Sequence, residues 1–264
     1  MTTHAITVGD VLRDWRARRR LSQLDLACAA EVSTRHLSFV ESGRAAPSRD
    51  LLLRLAEPLA MPLREQNRLL HAAGYAPVHG ERALDAPDMA AALAAVDAVL
   101  RAHTPFPALA VDRHWNLVRA NDAAAAMLVG IDPALLAAPV NVLRATLHPD
   151  GLAPRIANLA EWGHHLLARL RLDIDRSADP ELERLHAELN RFPCPASDRP
   201  HGAAARIAVP LSIRSGASES ILSFLSTTTV FGTATDVTLA ELTLECFYPA
   251  DDATRQALLA GSLT

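Results

Sequence analysis

Hydrophobic positions in the first part of the chain recur at three- and four-residue spacing, the period of helices that bury one face. Val8, Leu12 and Trp15 share one face of a predicted helix over Thr7–Arg20, which Thr7 and Asp10 open as a capping box. Leu26, Ala27 and Ala30 line a second helix, capped by Ser22 with Asp25 three residues on. Leu37 and Val40 line a third, capped by Ser33 and closed by Gly43, where a left-handed residue ends a helix. Ser48 opens a fourth helix with Leu52, Leu55 and Ala56 inward, limited by Pro58. Pro62 suits the first position of a fifth, running through Leu63, Asn67 and Leu70 to Gly74. Five short helices so close together predict an all-α bundle.

The pattern then changes. Tyr75 to Pro87 is rich in Pro and Gly and reads as a linker. Met89, Leu93, Val96 and Leu100 predict an apolar helix that either joins two domains or pairs with its own copy. Ala108–Val111 and Leu117–Ala120 read as two short strands, with Asp112–Asn116 as the turn between them. Asn121 and Asp122 cap a short helix through Met127 and Leu128, and longer helices follow at Leu152–Asp173 and Pro180–Arg191. Three strands are expected near Ala205–Ile213, Ser220–Phe231 and Thr235–Tyr248, and a closing helix at Asp251–Leu259. That order predicts an α+β domain with helices on one face of a sheet. The expected plan is therefore a helical domain over 1–76, a linker and connecting helix over 77–100, and an α+β domain over 101–264.

Half of the 264 residues are hydrophobic, enough for a sizeable core. The net charge of −4 is unevenly spread: residues 1–74 carry 11 Arg against 8 acids, and the remainder 15 Arg against 22 acids. A mildly basic front and an acidic rear fit a nucleic-acid reader joined to a domain with another task. Cys28, Cys194 and Cys246 lie far apart without a CxxC pair, which argues against a disulfide framework and a zinc ribbon. Neither a signal peptide nor an apolar run of about 18 residues is visible, so a cytoplasmic protein is expected.

The candidate chemistry is sparse outside the third helix. His164 and His165 are adjacent and point to different helix faces, and the 11 His residues include no HExxH pair, so no metal site is expected. Ser226-Thr-Thr-Thr has no base marked beside it, and phosphate-cradling glycine loops are absent, so neither catalysis nor a cofactor is expected. In the third helix, Thr34, Arg35, Ser38 and Phe39 fall outside the apolar stripe. A short helix with a polar, Arg-bearing front is what the DNA major groove admits. Arg16, Arg18, Arg19 and Arg20 crowd the end of the first helix, either as a solvated terminus suited to the helix dipole or as phosphate contacts.

Residues 9–60 resemble the lambda-repressor-like, Xre-type helix-turn-helix domain through Ser22-Gln23, Leu26-Ala27, Val32-Ser33, Leu37, Glu41-Ser42-Gly43 and Pro47-Ser48. One departure is Glu31, at a tight-turn position usually held by Gly, where a left-handed residue costs about 1–2 kcal/mol. Residues 100–260 resemble the ligand-binding domain of MmyB-like regulators. The carrying runs are Val111-Asp-Arg-His-Trp-Asn, Ala120-Asn121, Leu147-His-Pro-Asp-Gly, Asn158-Leu-Ala-Glu-Trp, Ser226-Thr-Thr-Thr-Val-Phe-Gly-Thr and Phe247-Tyr-Pro-Ala-Asp. Arg35-His-Leu-Ser-Phe and Ala72-Ala-Gly-Tyr-Ala-Pro fit the same family.

The resemblance implies a five-helix DNA-binding domain followed by an α+β, PAS-like sensor with an apolar, fatty-acyl-like effector. By matching positions, Thr34, Arg35, Ser38 and Phe39 would face base edges, and Gln23, Ser42, Arg44 and Arg49 would hold phosphates. Arg35 could grip guanine bidentately; Phe39, unable to hydrogen-bond, would touch thymine methyls. One such domain reads a half-site, so a homodimer on palindromic double-stranded DNA with half-sites about 34 Å apart is expected. Candidate pocket walls are Leu128, Leu143, Trp162, Leu166, Phe224 and Phe231, with Arg155 available for a ligand carboxylate and His148 or His165 to assist. Two rivals stand beside this reading: a second domain that only dimerises or recruits a protein partner, and an enzyme with a DNA-binding head.

Overall fold

The structure is a computed structural model that describes residues 7–194, 209–215 and 220–260. It divides into two compact units, one made chiefly of residues up to Glu81 and one chiefly of residues from Arg82 onward.

The first unit holds α1 (Val8–Arg18), α2 (Gln23–Ala29), α3 (Thr34–Glu41), α4 (Arg49–Ala56) and α5 (Leu63–Ala72). The side-chain oxygens of Thr7, Ser22, Ser33 and Ser48 accept the backbone N–H three residues on, so each of the first four helices starts on its expected cap. Asp10 and Asp25 return the bond to their caps, completing both boxes. Pro62 is the residue before the fifth helix rather than its first member, a shift of one position with the same physical cause. Glu31 occupies the turn between α2 and α3 at φ 55°, so the chain accepts the strain of a non-glycine residue there; Gly43 closes α3 at φ 73°.

Leu12, Leu26, Leu37, Leu52, Leu55 and Leu70 are fully buried in one core. Gly9 brings α1 against α3: a Cβ there would lie 2.3 Å from the Glu41 carbonyl oxygen, so only glycine fits. Two arginines of the α1 cluster serve structure. Arg16 binds the buried Glu41 carboxylate and the Leu21 carbonyl oxygen, and Arg19 donates to the Leu59 carbonyl oxygen at 2.7 Å. Arg18 and Arg20 remain exposed.

The second unit begins with a 3-10 turn (Pro87–Met89) and α6 (Ala90–Ala102). There follow β1 (Ala108–Val111), β2 (Leu117–Ala120), α7 (Asp122–Met127), α8 (Val142–Leu147), α9 (Leu159–Ser177) and α10 (Pro180–Leu189). Then come β3 (Leu211–Arg214), β4 (Ile221–Val230), the short α11 (Val237–Ala240), β5 (Thr243–Pro249) and α12 (Asp252–Leu259). The strands form one antiparallel sheet in the order β2-β1-β5-β4-β3. This is the α+β, PAS-like arrangement that the resemblance implies.

The differences from the sequence expectation have identifiable physical causes. The helix expected over Leu152–Asp173 is broken into a 3-10 turn at Ala153–Arg155 and then α9. Between them the Ala157 N–H donates to the Ser212 carbonyl oxygen, and the Asn158 side chain bonds the Ser212 N–H and the Pro210 carbonyl oxygen. The connection is thus held by β3 instead of by helix bonds. The last strand starts at Thr243, because Val237–Ala240 is helical; Ala205–Ala208 of the first predicted late strand lie outside the described residues. The sequence reading missed α8, although Asn141 caps it.

Helices lie on both faces of the sheet instead of one. Ala108, Ala110, Leu244 and Cys246 pack on Val96 and Leu100 of α6. Leu109, Phe224 and Phe247 join the opposite cluster with Leu143 of α8 and Trp162 and Leu166 of α9. The period of two along each strand divides these sets. Asn121, buried, ties the elements together: its carbonyl oxygen accepts from the Ala108 and Ala124 N–H groups, and its amide donates to the Leu100 and Phe106 carbonyl oxygens.

Candidate functional site

In the first unit, Leu37 and Val40 are turned into the core, and that fixes the rotation of α3. Arg35 is left exposed, and Thr34, Ser38 and Phe39 half-buried. The Arg35 guanidinium sits over the Phe39 ring at 5.4 Å, and that of Arg44 over the same ring at 5.8 Å. Phe39 therefore gathers two cations beside the front of a short helix, a cation–π arrangement that limits the freedom of both side chains. Ser42, Arg44 and Arg49 are exposed, so the surface offers hydrogen-bond donors suited to phosphate oxygens next to groups suited to base edges. The Gln23 amide nitrogen donates to Glu41 at 2.7 Å and is thus occupied within the bundle.

In the second unit a cavity of about 80 Å³ lies between the sheet and α7, α8 and α9. Among its described lining residues, Thr146, Arg169, Ser226 and Glu245 are polar, Trp115 and Trp162 carry an indole N–H, and the rest, Leu109, Leu143, Leu166 and Phe247 among them, are apolar. A second, shallower apolar hollow shares Leu117, Ala120 and Leu128 with it and adds the exposed Val129 and the part-exposed Leu136. The cavity therefore adjoins an apolar surface depression.

The two charged groups of the cavity are bound to each other. Arg169 grips Glu245 at both carboxylate oxygens, one of them at 2.8 Å, and Glu245 also accepts from the Thr228 hydroxyl at 3.3 Å. Above Arg169 the Trp115 ring lies 4.7 Å from the guanidinium carbon. Trp115 adopts a left-handed backbone, φ 65°, a strained state for a large side chain. The Asp112 carboxylate holds it there by accepting from the His114 and Asn116 N–H groups, both at 2.8 Å, while the indole N–H donates to Asp173. His165 stacks on Trp162 at 5.2 Å, and burial, reinforced by Arg169, pushes its pKa down, so its ring is neutral at neutral pH.

Four of the nine expected ligand residues line the cavity together: Leu128, Leu143, Trp162 and Leu166. The other five lie elsewhere. Phe224 is fully buried under the sheet, edge-on to Phe247, and Phe231 packs with the cluster on the far face. His148 stands edge-on to Phe192, and His165 backs Trp162 without lining the cavity. Arg155 donates to the Met127 and Val129 carbonyl oxygens, holding the chain after α7.

Arg169 and Glu245 escaped the sequence reading, though both left a trace. Arg169 follows Trp162 and Leu166 at helical spacing, on their face of α9. Glu245 is the one charge in the apolar strand run Leu244-Glu-Cys-Phe.

The family model of the MmyB-like transcription regulator ligand binding domain matches residues 92–260, and a helix-turn-helix domain model matches residues 7–69. Among solved structures, the clp gene regulator ClgR from Corynebacterium glutamicum is similar at 27% identity and a TM-score of 0.23. The match covers 38% of this chain and 94% of that one. No curated protein matches the chain.

Proposed function

The chain belongs to the family of MmyB-like transcription regulators with a ligand-binding domain, and from that premise we propose that it is a homodimeric regulator whose second domain senses a small apolar effector. Residues 1–76 would read double-stranded DNA, 77–100 connect, and 101–264 bind the effector. In this reading Thr34, Arg35, Ser38 and Phe39 read bases, and Ser42, Arg44 and Arg49 hold phosphates. The effector acts by favouring one dimer geometry, which requires different affinity for the two states.

The observation that carries the effector reading is the apolar cavity between the sheet and α7–α9, in which the two charged groups among the described lining residues pair with each other. A pocket with apolar walls and a few polar groups is the usual form of a small-molecule site. Native mass spectrometry of the purified protein, with binding to its own promoter measured against random duplex, tests the proposal. The expected result is a two-subunit species, a bound or bindable apolar molecule, and promoter affinity that changes with that molecule. A monomer that binds both duplexes alike, with or without apolar additives, would overturn it.

A further inference from the structure

Two arginines beside the front of α3 carry charge that the helical unit does not answer. Arg35 and Arg44 are exposed, and among the described residues no carboxylate forms an ion pair with either. Arg16 of the same unit, by contrast, is gripped by Glu41. Both free guanidiniums lie over the Phe39 ring instead, at 5.4 Å and 5.8 Å. Arg35 precedes Phe39 by four residues, so the two side chains share one face of α3. Arg44 reaches the same ring from the loop after the helix.

The backbone of Phe39 holds that loop as well. Its carbonyl oxygen accepts from the Arg44 N–H at 2.8 Å, the Ala45 N–H at 3.1 Å and the Ser42 hydroxyl at 3.3 Å. One residue thus fixes both where the Arg44 side chain starts and where its guanidinium ends. Phe39 is half-buried and is not among the described residues of the bundle core, so core packing does not account for an aromatic ring there.

Arginine is among the side chains that lose most freedom on being ordered, and two like charges brought together repel. The negative face of an aromatic ring attracts a cation and opposes both effects before any DNA arrives. Side chains held in place beforehand bind more tightly, because less ordering remains to be done on binding. A thymine methyl needs only apolar surface, which leucine would supply equally. Two cations over one side chain need an aromatic ring.

We propose that Phe39 is a positioning residue of the DNA surface. Its ring sets Arg35 for a base edge and Arg44 for a phosphate, and it acts on DNA through these two side chains more than through a base contact of its own. This role rests on the reading of α3 as the DNA-contacting helix and adds how two arginines of that surface are held ready.

The test uses the full-length protein, a duplex from its own promoter and a scrambled duplex of equal length, with binding followed by fluorescence anisotropy at one low salt concentration. Phe39→Leu keeps an apolar side chain and every charge but removes the ring. It should lose about tenfold in affinity for the promoter, where both arginines act, and about threefold for the scrambled duplex, where the Arg44 phosphate contact remains. Phe39→Tyr keeps the ring and should recover most of both losses. With Arg35→Ala or Arg44→Ala already in place, the promoter effect of Phe39→Leu should shrink from about tenfold to about threefold, because one cation is left to hold. A full tenfold effect in both backgrounds, or no effect of Phe39→Leu in the unaltered protein, would overturn the positioning role and leave the DNA surface standing. Failure of the unaltered protein to bind either duplex would overturn the DNA reading itself. If Phe39→Leu does not fold, as judged by circular dichroism, Phe39→Met takes its place in the same comparison.

Discussion

Arg16 on α1 and Glu41 on α3 form a two-point ion pair, Nε to Oε1 at 2.8 Å and Nη2 to Oε2 at 3.1 Å, with the Glu41 side chain almost wholly buried. The Gln23 amide completes the group from α2. One carboxylate thus connects three helices beneath the surface that α3 presents. Removing one partner of a buried pair strands the other. Glu41→Ala should therefore destabilise the helical unit by about 3 kcal/mol, read as a lowered urea midpoint. A variant with an unchanged midpoint would show that the pair contributes nothing net.

Arg35 and Arg44 share the Phe39 ring but should differ in what they read. Arg35→Ala should relax preference at one base step by about 1–3 kcal/mol, whereas Arg44→Ala should weaken operator and scrambled DNA alike. Binding curves on both duplexes separate the two. Equal loss on both duplexes for Arg35→Ala would remove it from base reading.

Asn121 satisfies four backbone groups drawn from α6, the loop before β1, β1 itself and α7. Asn121→Ala leaves buried donors and acceptors unpaired, so a loss of about 3 kcal/mol is expected by urea denaturation of the full chain. Asn121→Asp restores the acceptor side only, and it should remain well short of the original stability.

Asp10 is held at a pKa of about 2, below its ordinary 3.8, chiefly by the hydrogen bonds of Thr7. A carboxylate depressed on folding contributes stability that is complete above its unfolded value and is lost as pH falls through its folded value. The difference in urea midpoint between the unaltered protein and Asp10→Ala should be constant near neutrality and should shrink between about pH 4 and pH 2. A difference that persists unchanged at pH 2 would mean that the cap acts through something other than the charged form.

Gly9→Ala should cost about 1–3 kcal/mol in thermal melting, since α1 must move away from the Glu41 carbonyl oxygen. A helix-propensity argument alone predicts the opposite sign, because alanine favours helices. The sign of the shift distinguishes close backbone packing from local preference.

The chain's local signals determined much of this protein. Thr7, Ser22, Ser33 and Ser48 marked four helix starts, because a capping oxygen acts within three residues and needs no distant partner. The same short range made Ala108–Val111 and Leu117–Ala120 legible as strands. Leu37 and Val40 fixed which side of α3 is buried, and with it the exposure of Arg35. Tertiary structure alone decided what depends on groups far apart in sequence. It placed helices on both faces of the sheet, broke the helix before α9 by bonds to β3, and turned Arg155 and Gln23 to structural partners. It also paired Arg169 with Glu245, 76 residues apart. A side chain's charge is written in the sequence, but whether that charge is free or already neutralised depends on which distant residue the fold sets beside it.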